Sequence, residues 1–430
     1  MDFLHFFYNM RIYTYIFVLF SLIAAFSCQK QEADIFPDSP MVRLNEALKT
    51  NTTLLQSAEN GWAMEYFATS DSPGYTLFVK FKTNGEAVFS AKNDLTKNYV
   101  LSDSSVYKTI GDNGPVLTFN TYNKVLHAFS NPVNPDGYGL EGDYEFVIMQ
   151  SSADTIVLQG KKRATTILLT KIPTTISWSN YRTALEDMNT VLFSNNAPVL
   201  SLQLTDKYIF SKGASRMFQI LKDNAESSNS VSASFIVTRT GIRFQKAQEL
   251  EGKKFQAFNL TPDSASLICN EDNTLKLQGP ELLATYFFEN RNTWLLSPDK
   301  MSASLLTSYN LMKQSLITKY KATSILLFLK YNDVRKSHVL LLQFISGKNK
   351  YEGNVDISMT VGGSEQLSLQ NNETGDLNGM TFYTNVTGYK AIADALSTTY
   401  NISTPVPLNP RLVKFEKSTD TNFWFQVTCY

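Results

Sequence analysis

The sequence predicts an α+β protein made mainly of antiparallel sheet, with a barrel-like N-terminal unit and a few short helices. Three observations lead there. Three apolar stripes at helical spacing precede runs of short strands, turn residues rather than helices separate those strands, and Asn84-Gly85 sits between two alternating apolar runs. Regular alternation of strand and helix would signal a parallel sheet, whereas strand after strand with turn chemistry between signals hairpins. Curling such sheets toward barrels removes their exposed edges.

The chain begins with a targeting segment. Arg11 supplies a basic start, Ile12 to Phe26 an apolar run, and Ala25-Phe26-Ser27-Cys28 a cleavage region. That order is the one a secretory signal needs. A spanning helix needs about 20 consecutive apolar residues, and Asn9, Met10 and Arg11 interrupt the earlier run Phe3 to Tyr8, so export is the better reading. Met10 also fits as a start. Cys28 stands where a bacterial lipoprotein carries its acylated cysteine; the alternative is an ordinary secretory signal with an incidental Cys. Several acyl chains anchor stably where one binds marginally. Gln29 to Asp34 with Pro37 and Pro40 read as a tether, and Lys30, Glu32 and Asp34 faintly resemble a surface-export tag.

Taken in order, the first helix opens at Ser39-Pro40, an N-cap followed by Pro at the first helical position, and Gly61 closes it. Trp62, Met64 and Tyr66 alternate as a strand. Leu77, Val79 and Phe81 run into Thr83-Asn84-Gly85, the strongest short-range hairpin signal, and out through Val88 and Phe89. Leu117 to Phe119, Tyr144 to Met149, Thr155 to Leu158 and Thr166 to Leu169 continue the strands, and Pro173 ends them.

A second unit opens with Trp178, Tyr181, Leu185, Met188 and Leu192 on one helical stripe. Strands are expected at Val199 to Leu204, Tyr208 to Phe210, Phe235 to Thr238, Ile242 to Phe244, Phe255 to Phe258 and Leu267 to Cys269, with Asn224 to Ser230 a loop. A third helix carries Leu305, Tyr309, Met312 and Leu316. Ile325 to Leu329 and Val339 to Ile345 are nearly unbroken apolar runs, hence strands covered on both faces. Asp356 to Met359, Met380 to Tyr383, Leu412 to Phe415 and Phe423 to Val427 read as strands, with a short helix near Tyr389 to Leu396. The divisions that follow are a signal over residues 1–27, a tether over 28–38, and units at 39–173, 174–298 and 299–430. A two-domain split near Pro173 is the alternative.

Composition limits the partners. The chain has 430 residues, 43% hydrophobic and 13% aromatic, enough to fill several cores. Its formal net charge is +0; nucleic acid needs a basic field, so it is not an expected partner. Of 3 Cys, one is Cys28, leaving Cys269 and Cys429 too widely separated to imply a bridge. No zinc spacing, GxSxG, HExxH, P-loop or EF-hand pattern occurs, and neither a metal nor a cofactor is expected.

The candidate chemistry is correspondingly sparse. Asp143 and Glu145 fall on one face if Asp143-Tyr144-Glu145-Phe146 is a strand, and paired carboxylates about 5 to 9.5 Å apart are what a glycosidase uses; a solvated strand face is the simpler account. His127, among aromatic and amide residues, fits a general base, a metal ligand or a hydrogen-bonded structural histidine, while His338 reads as a turn residue. The loop from Asn131 to Gly139 offers Asn134, Asp136 and Tyr138 as ligand-binding candidates beside His127, because loops on rigid sheets gather binding sites. Trp62, Trp178, Trp294 and Trp424 sit in apolar patterns and read as core.

Asn60-Gly61-Trp62, Phe81 to Gly85, Leu117 to His127 with Phe129-Ser130-Asn131-Pro132, and Gly142-Asp143-Tyr144-Glu145-Phe146 leading to Gly160-Lys161-Lys162 together resemble an uncharacterised Bacteroidota lipoprotein family, a domain of unknown function. These motifs lie between Asn60 and Lys171. The resemblance implies a lipid-anchored outer-membrane protein at the cell surface, accompanying uptake pairs of the SusC and SusD type; it brings no catalytic residue. The expected function is non-enzymatic binding of a glycan, glycopeptide or partner protein beside an uptake complex. An envelope hydrolase acting on carbohydrate and a structural or adhesin-type subunit are the alternatives.

Overall fold

The computed structural model describes residues 38–132, 139–193, 199–213, 216–289 and 291–430. Helix α1 (Pro40–Gln56) starts at its sequence signal: the Ser39 hydroxyl accepts the Val42 N–H, and Pro40 fills a first-turn position whose own N–H has no helical partner. Trp62 Nε1 donates to the Leu55 carbonyl at 2.9 Å, which ties α1 to the first strand.

Eight antiparallel strands follow and close a barrel: β1 (Trp62–Phe67), β2 (Gly74–Phe81), β3 (Glu86–Ala91), β4 (Leu101–Gly111), β5 (Pro115–Phe119), β6 (Glu145–Ser151), β7 (Thr155–Gly160) and β8 (Thr166–Lys171), the last pairing back onto β1. Period-two alternation sends Trp62, Met64, Tyr66, Leu77, Val79, Phe89, Phe119, Phe146 and Leu158 into one core. Gly85 takes φ +82° in the β2–β3 turn, the left-handed conformation that favours glycine there. Strand β4 has no counterpart in the sequence reading; its Ser-rich run is a strand because β3 and β5 pair with it.

β1 and β2 are covered on their outer face as well. Helix α2 (Trp178–Phe193) lays Trp178, Tyr181 and Leu185 over Ala63, Phe78 and Ile172, with Trp178 stacked on Phe78 at 5.6 Å. Burial along β1 is therefore almost continuous instead of alternating.

The second sheet has nine strands: β9 (Val199–Gln203), β10 (Lys207–Lys212), β11 (Phe218–Lys222), β12 (Val231–Ala233), β13 (Phe235–Val237), β14 (Gly241–Leu250), β15 (Lys253–Leu260), β16 (Ser266–Cys269) and β17 (Lys276–Gln278). Its order runs β12-β11-β10-β9-β17-β16-β15-β14-β13. The two edge strands are thus neighbours in the chain, and the Ser234 carbonyl between them accepts the Gln245 N–H at 2.9 Å. The sheet curls around a phenylalanine-rich core of Phe210, Phe218, Phe235, Phe244, Phe255 and Phe258.

Helix α3 (Leu283–Glu289) leads into a second closed barrel: β18 (Thr293–Met301), β19 (Ala322–Asn332), β20 (Ser337–Ser346), β21 (Asn349–Gly363), β22 (Gln366–Gly375), β23 (Thr399–Ser403), β24 (Leu412–Lys417) and β25 (Asp420–Cys429). Helix α4 (Ala303–Tyr320) lies between β18 and β19 and buries Leu305, Tyr309, Met312 and Leu316, the stripe read from sequence. Helices α5 (Leu377–Asn385) and α6 (Tyr389–Leu396) connect β22 to β23. Leu408, from the loop before β24, inserts into the core of the second sheet.

The architecture is α+β and mainly antiparallel, with a barrel at the N-terminal end. Three local readings need correction. Met380 to Tyr383 belong to α5 and not to a strand, because the Asp376 carboxylate accepts the Gly379 N–H at 2.6 Å and caps a helix there. His338 is not in a turn; it lies on β20 opposite Tyr331, with Nε2 3.1 Å from the Phe288 carbonyl. Asp143 and Glu145 do not share a strand face: Asp143 is buried before β6 begins, with exposed Tyr144 after it, whereas Glu145 is half-buried as the first residue of β6. Cys269 and Cys429 are buried free thiols. No helix among the described residues is long and apolar enough to cross a membrane; the apolar run Ile12 to Phe26 and Cys28 lie outside the described residues.

Candidate functional site

After β5, residues 123–129 pack against the core of the first barrel, and buried side chains fix their path. The Asn123 carboxamide accepts the N–H groups of Val125 and Leu126 at 2.9 and 3.0 Å. Val125, Leu126 and Phe129 point into the barrel core, Phe129 packing on Tyr66 and Tyr75 at 4.6 and 4.8 Å. With those neighbours turned inward, His127 stays at the half-buried rim.

There His127 is a stacking element. Its Nδ1 accepts the Asn123 N–H at 3.0 Å, which leaves the ring proton on Nε2. Its ring lies 4.8 Å from Tyr144, nearly parallel at 27°, and 5.2 Å from Tyr122 at 35°. Burial pushes the imidazole below the usual histidine range, and an Nδ1 that accepts the Asn123 N–H is itself unprotonated, so the neutral ring is favoured. Tyr122 and Tyr144 are 57% and 43% exposed, which makes the three rings an aromatic shelf open to solvent. The Asn131 amide donates to the Tyr122 hydroxyl at 2.6 Å and fixes its tilt.

The position of Tyr144 is set from inside the barrel. The Tyr66 hydroxyl donates to the Asp143 carbonyl at 2.8 Å. The Asp143 carboxylate accepts the Lys162 and Arg163 N–H groups at 3.0 and 2.7 Å. A Cβ at Gly142 would strike the Tyr66 hydroxyl, and one at Gly160 would strike the Asp143 carboxylate, so both positions need glycine. Held this way, Asp143 faces in and Tyr144 faces out.

Beside the shelf runs a groove of about 610 Å³ whose walls include Ser130, Glu141, Tyr144, Glu145, Lys161 and Lys162. Lys161 bridges Asp112 at 2.7 Å and Glu145 at 3.4 Å, and Arg163 pairs with Glu141 at 2.7 Å. Thr118 donates to Glu145 at 3.1 Å. The groove therefore offers fixed acceptors and donors of both charges next to aromatic faces.

This arrangement does not assemble a glycosidase pair from Asp143 and Glu145. Both Asp143 oxygens are taken by backbone N–H groups and Glu145 is held by Lys161 and Thr118, whereas hydrolysis needs two carboxyls flanking a substrate bond. Asp143→Ala is expected to cost about 2–3 kcal/mol, the range for hydrogen bonds to a buried charge, measured by urea unfolding. A loss below about 0.5 kcal/mol would show that the turn at Lys162 holds without it.

Of the ligand-binding residues expected from sequence, His127 is at the shelf; Asn134, Asp136 and Tyr138 lie outside the described residues. Tyr122, Tyr144 and Lys161 were not among them. The signal for Tyr144 was present in the Gly142-Asp143 pair before it, since a glycine followed by an acid interrupts strand alternation. Among the described residues no three of His, Cys, Asp and Glu group as metal ligands.

These features define a barrel-based, antiparallel β protein with an aromatic-lined surface groove on its first barrel. The chain belongs to the family described as Domain of unknown function (DUF4302), whose model matches residues 32–262 and so takes in α1, the first barrel, α2 and the second sheet through β15. No curated protein matches it. Among solved structures, kievitone hydratase from Nectria haematococca is similar at 7% identity, over 88% of this chain and 91% of that one, with a TM-score of 0.13. The vaccine antigen transferrin binding protein B from Haemophilus parasuis is similar at 9% identity, over 82% of this chain and 64% of that one, also at 0.13. Neither likeness bears on fold or function at that TM-score.

Proposed function

We propose that this chain is a non-enzymatic, lipid-anchored surface protein of a Bacteroidota cell envelope that binds a glycan at the Tyr122–His127–Tyr144 shelf, beside an uptake complex. The observation that carries the reading is the exposed three-ring stack next to a groove with paired acceptors and donors. Sugar rings have apolar C–H faces and hydroxyl rims; stacked aromatic residues meet the first, and Glu141, Glu145, Lys161 and Lys162 suit the second. A neutral His127 is consistent with a stacking role. The leader and Cys28 support the anchored location, and the resemblance of Asn60 to Lys171 supports the link to uptake.

The test is a glycan array followed by calorimetry on the chain from residue 29 onward. Tyr144→Ala and Tyr122→Ala are each expected to weaken the captured glycan about tenfold, from loss of stacking worth about 1–1.5 kcal/mol, with unfolding midpoints unchanged. Binding that survives both substitutions, or no glycan captured at all, would sink the assignment. Turnover of a captured glycan would favour the envelope-hydrolase reading instead.

A further inference from the structure

A second concavity, of about 550 Å³, opens where the first barrel, α2 and the second sheet meet. Phe78 from β2 and Phe193 from the end of α2 lie behind its walls as buried core rings, 1% and 6% exposed. Four cationic side chains line it, Lys92, Arg182, Lys212 and Arg216, against two carboxylates, Asp94 and Glu186. In a chain of formal net charge +0, that is a local excess of positive charge.

The excess resolves onto two residues. Lys92 pairs with Glu186 at 2.7 Å and Arg216 with Asp94 at 3.5 Å. Arg182 and Lys212 have no carboxylate at ion-pair distance among the described residues; Lys212 Nζ lies 4.5 Å above the Phe193 ring, and Arg182 lies 5.4 Å above Phe78. Among the described residues Arg182 Nη2 donates to Ser90 Oγ, at 3.3 Å, and its buried Nε finds no partner. Burial holds the Lys212 amine below the usual lysine range, and the charge of Arg216 adds to the shift. Two half-buried cations, held by aromatic faces and, for Arg182, by the more distant Glu186 carboxylate, leave positive charge that an anion in the cleft would offset.

We propose that this cleft binds an acidic sugar, with Lys212 and Arg182, each held over a buried ring, supplying the charge for its carboxylate. Asn98, Asn189 and Thr190, also in the lining, match the hydroxyls. The site is separate from the Tyr144 shelf and draws on two sheets and the helix joining them, so a ligand here also holds the first barrel and the second sheet together.

The experiment is calorimetry of the chain from residue 29 onward with glucuronate, galacturonate and N-acetylneuraminate, each beside glucose or galactose as an uncharged reference. At least one acid is expected to bind at least tenfold more tightly than the neutral sugars, to weaken with added salt, and to weaken at least tenfold again in Lys212→Gln and Arg182→Gln. Lys212→Arg is expected to retain binding, and Tyr144→Ala to leave it unchanged. Failure of all three acids, equal affinity for acid and neutral sugar, or binding indifferent to both glutamine variants in chains of unaltered unfolding midpoint would overturn the proposal. Loss of acid binding in Tyr144→Ala would place the ligand on the shelf and equally overturn it.

Discussion

Arg243→Met is expected to destabilise the chain by about 3–5 kcal/mol, the range for removing one member of a buried ion pair. Glu65 stands on the outer face of β1 and Arg243 on β14, and their side chains are each only 15% exposed. The Arg243 guanidinium bonds the Glu65 carboxylate through Nε. Nearby contacts cross the same seam: Ser234 Oγ donates to the Ser70 carbonyl at 2.9 Å, and Gln245 Nε2 to the Thr69 carbonyl at 3.3 Å. Gly74 lies so close to Ile236 that a side chain there has no room.

Burial pushes the Glu65 carboxyl above its ordinary range even with Arg243 beside it, since desolvation outweighs the attraction. Without the arginine, Glu65 is a lone buried charge that folds best protonated, so the deficit of the variant narrows as the solution is acidified. Glu65→Leu combined with Arg243→Met is expected to recover most of the loss, because an apolar pair of similar volume removes both desolvation costs. The double-mutant cycle, read by urea unfolding, decides it. A single-variant loss under about 1 kcal/mol would mark the pair as hydrated, in the range of a surface bridge.

What the sequence revealed and what it hid divide along a physical line. Features with a local cause were legible: the Ser39-Pro40 start of α1, the Asn84-Gly85 hairpin, and the stripes of α2 and α4 each depend on residues a few positions apart. Features made by distant partners were not. The Ser-rich run of β4 becomes a strand through its ladders to β3 and β5, and its inward Tyr107 takes a hydrogen bond from Gln56 at 2.7 Å. Tyr144 faces solvent because Tyr66, far back on β1, holds the carbonyl before it. The charged cleft unites Phe78, Arg182 and Lys212, which no spacing rule relates. Met380 to Tyr383 misled for the opposite reason: an apolar run looks alike in strand and helix, and the decisive cap at Asp376 lies just outside it.

The second large effect is a pH dependence centred on Asp356. This β21 residue is buried, and its carboxylate accepts from Arg335 through Nε at 2.7 Å and through Nη2, from Ser337 at 3.1 Å and from Thr374 at 3.0 Å. Arg335 precedes Lys336 (φ +53°) in the β19–β20 turn, so the cluster joins that turn to β21 and β22. The hydrogen bonds from Arg335 hold the Asp356 carboxyl below the ordinary aspartate value of 3.8, against its burial. In the unfolded chain nothing lowers it. A carboxyl whose folded pKa is depressed contributes stability that is fully present above its unfolded value and disappears as pH falls through the folded one. Stability from this group should therefore hold from neutrality down to about pH 5 and decline below pH 4. Asp356→Asn is expected to cost about 3 kcal/mol at pH 7, through loss of a bidentate charge-assisted pair that leaves Arg335 uncompensated. It should also remove this part of the acid-induced decline, so the unfolding midpoints of parent and variant converge toward pH 3. Curves that stay parallel from pH 7 to pH 3 would assign the acid sensitivity to other carboxylates and leave Asp356 with packing alone.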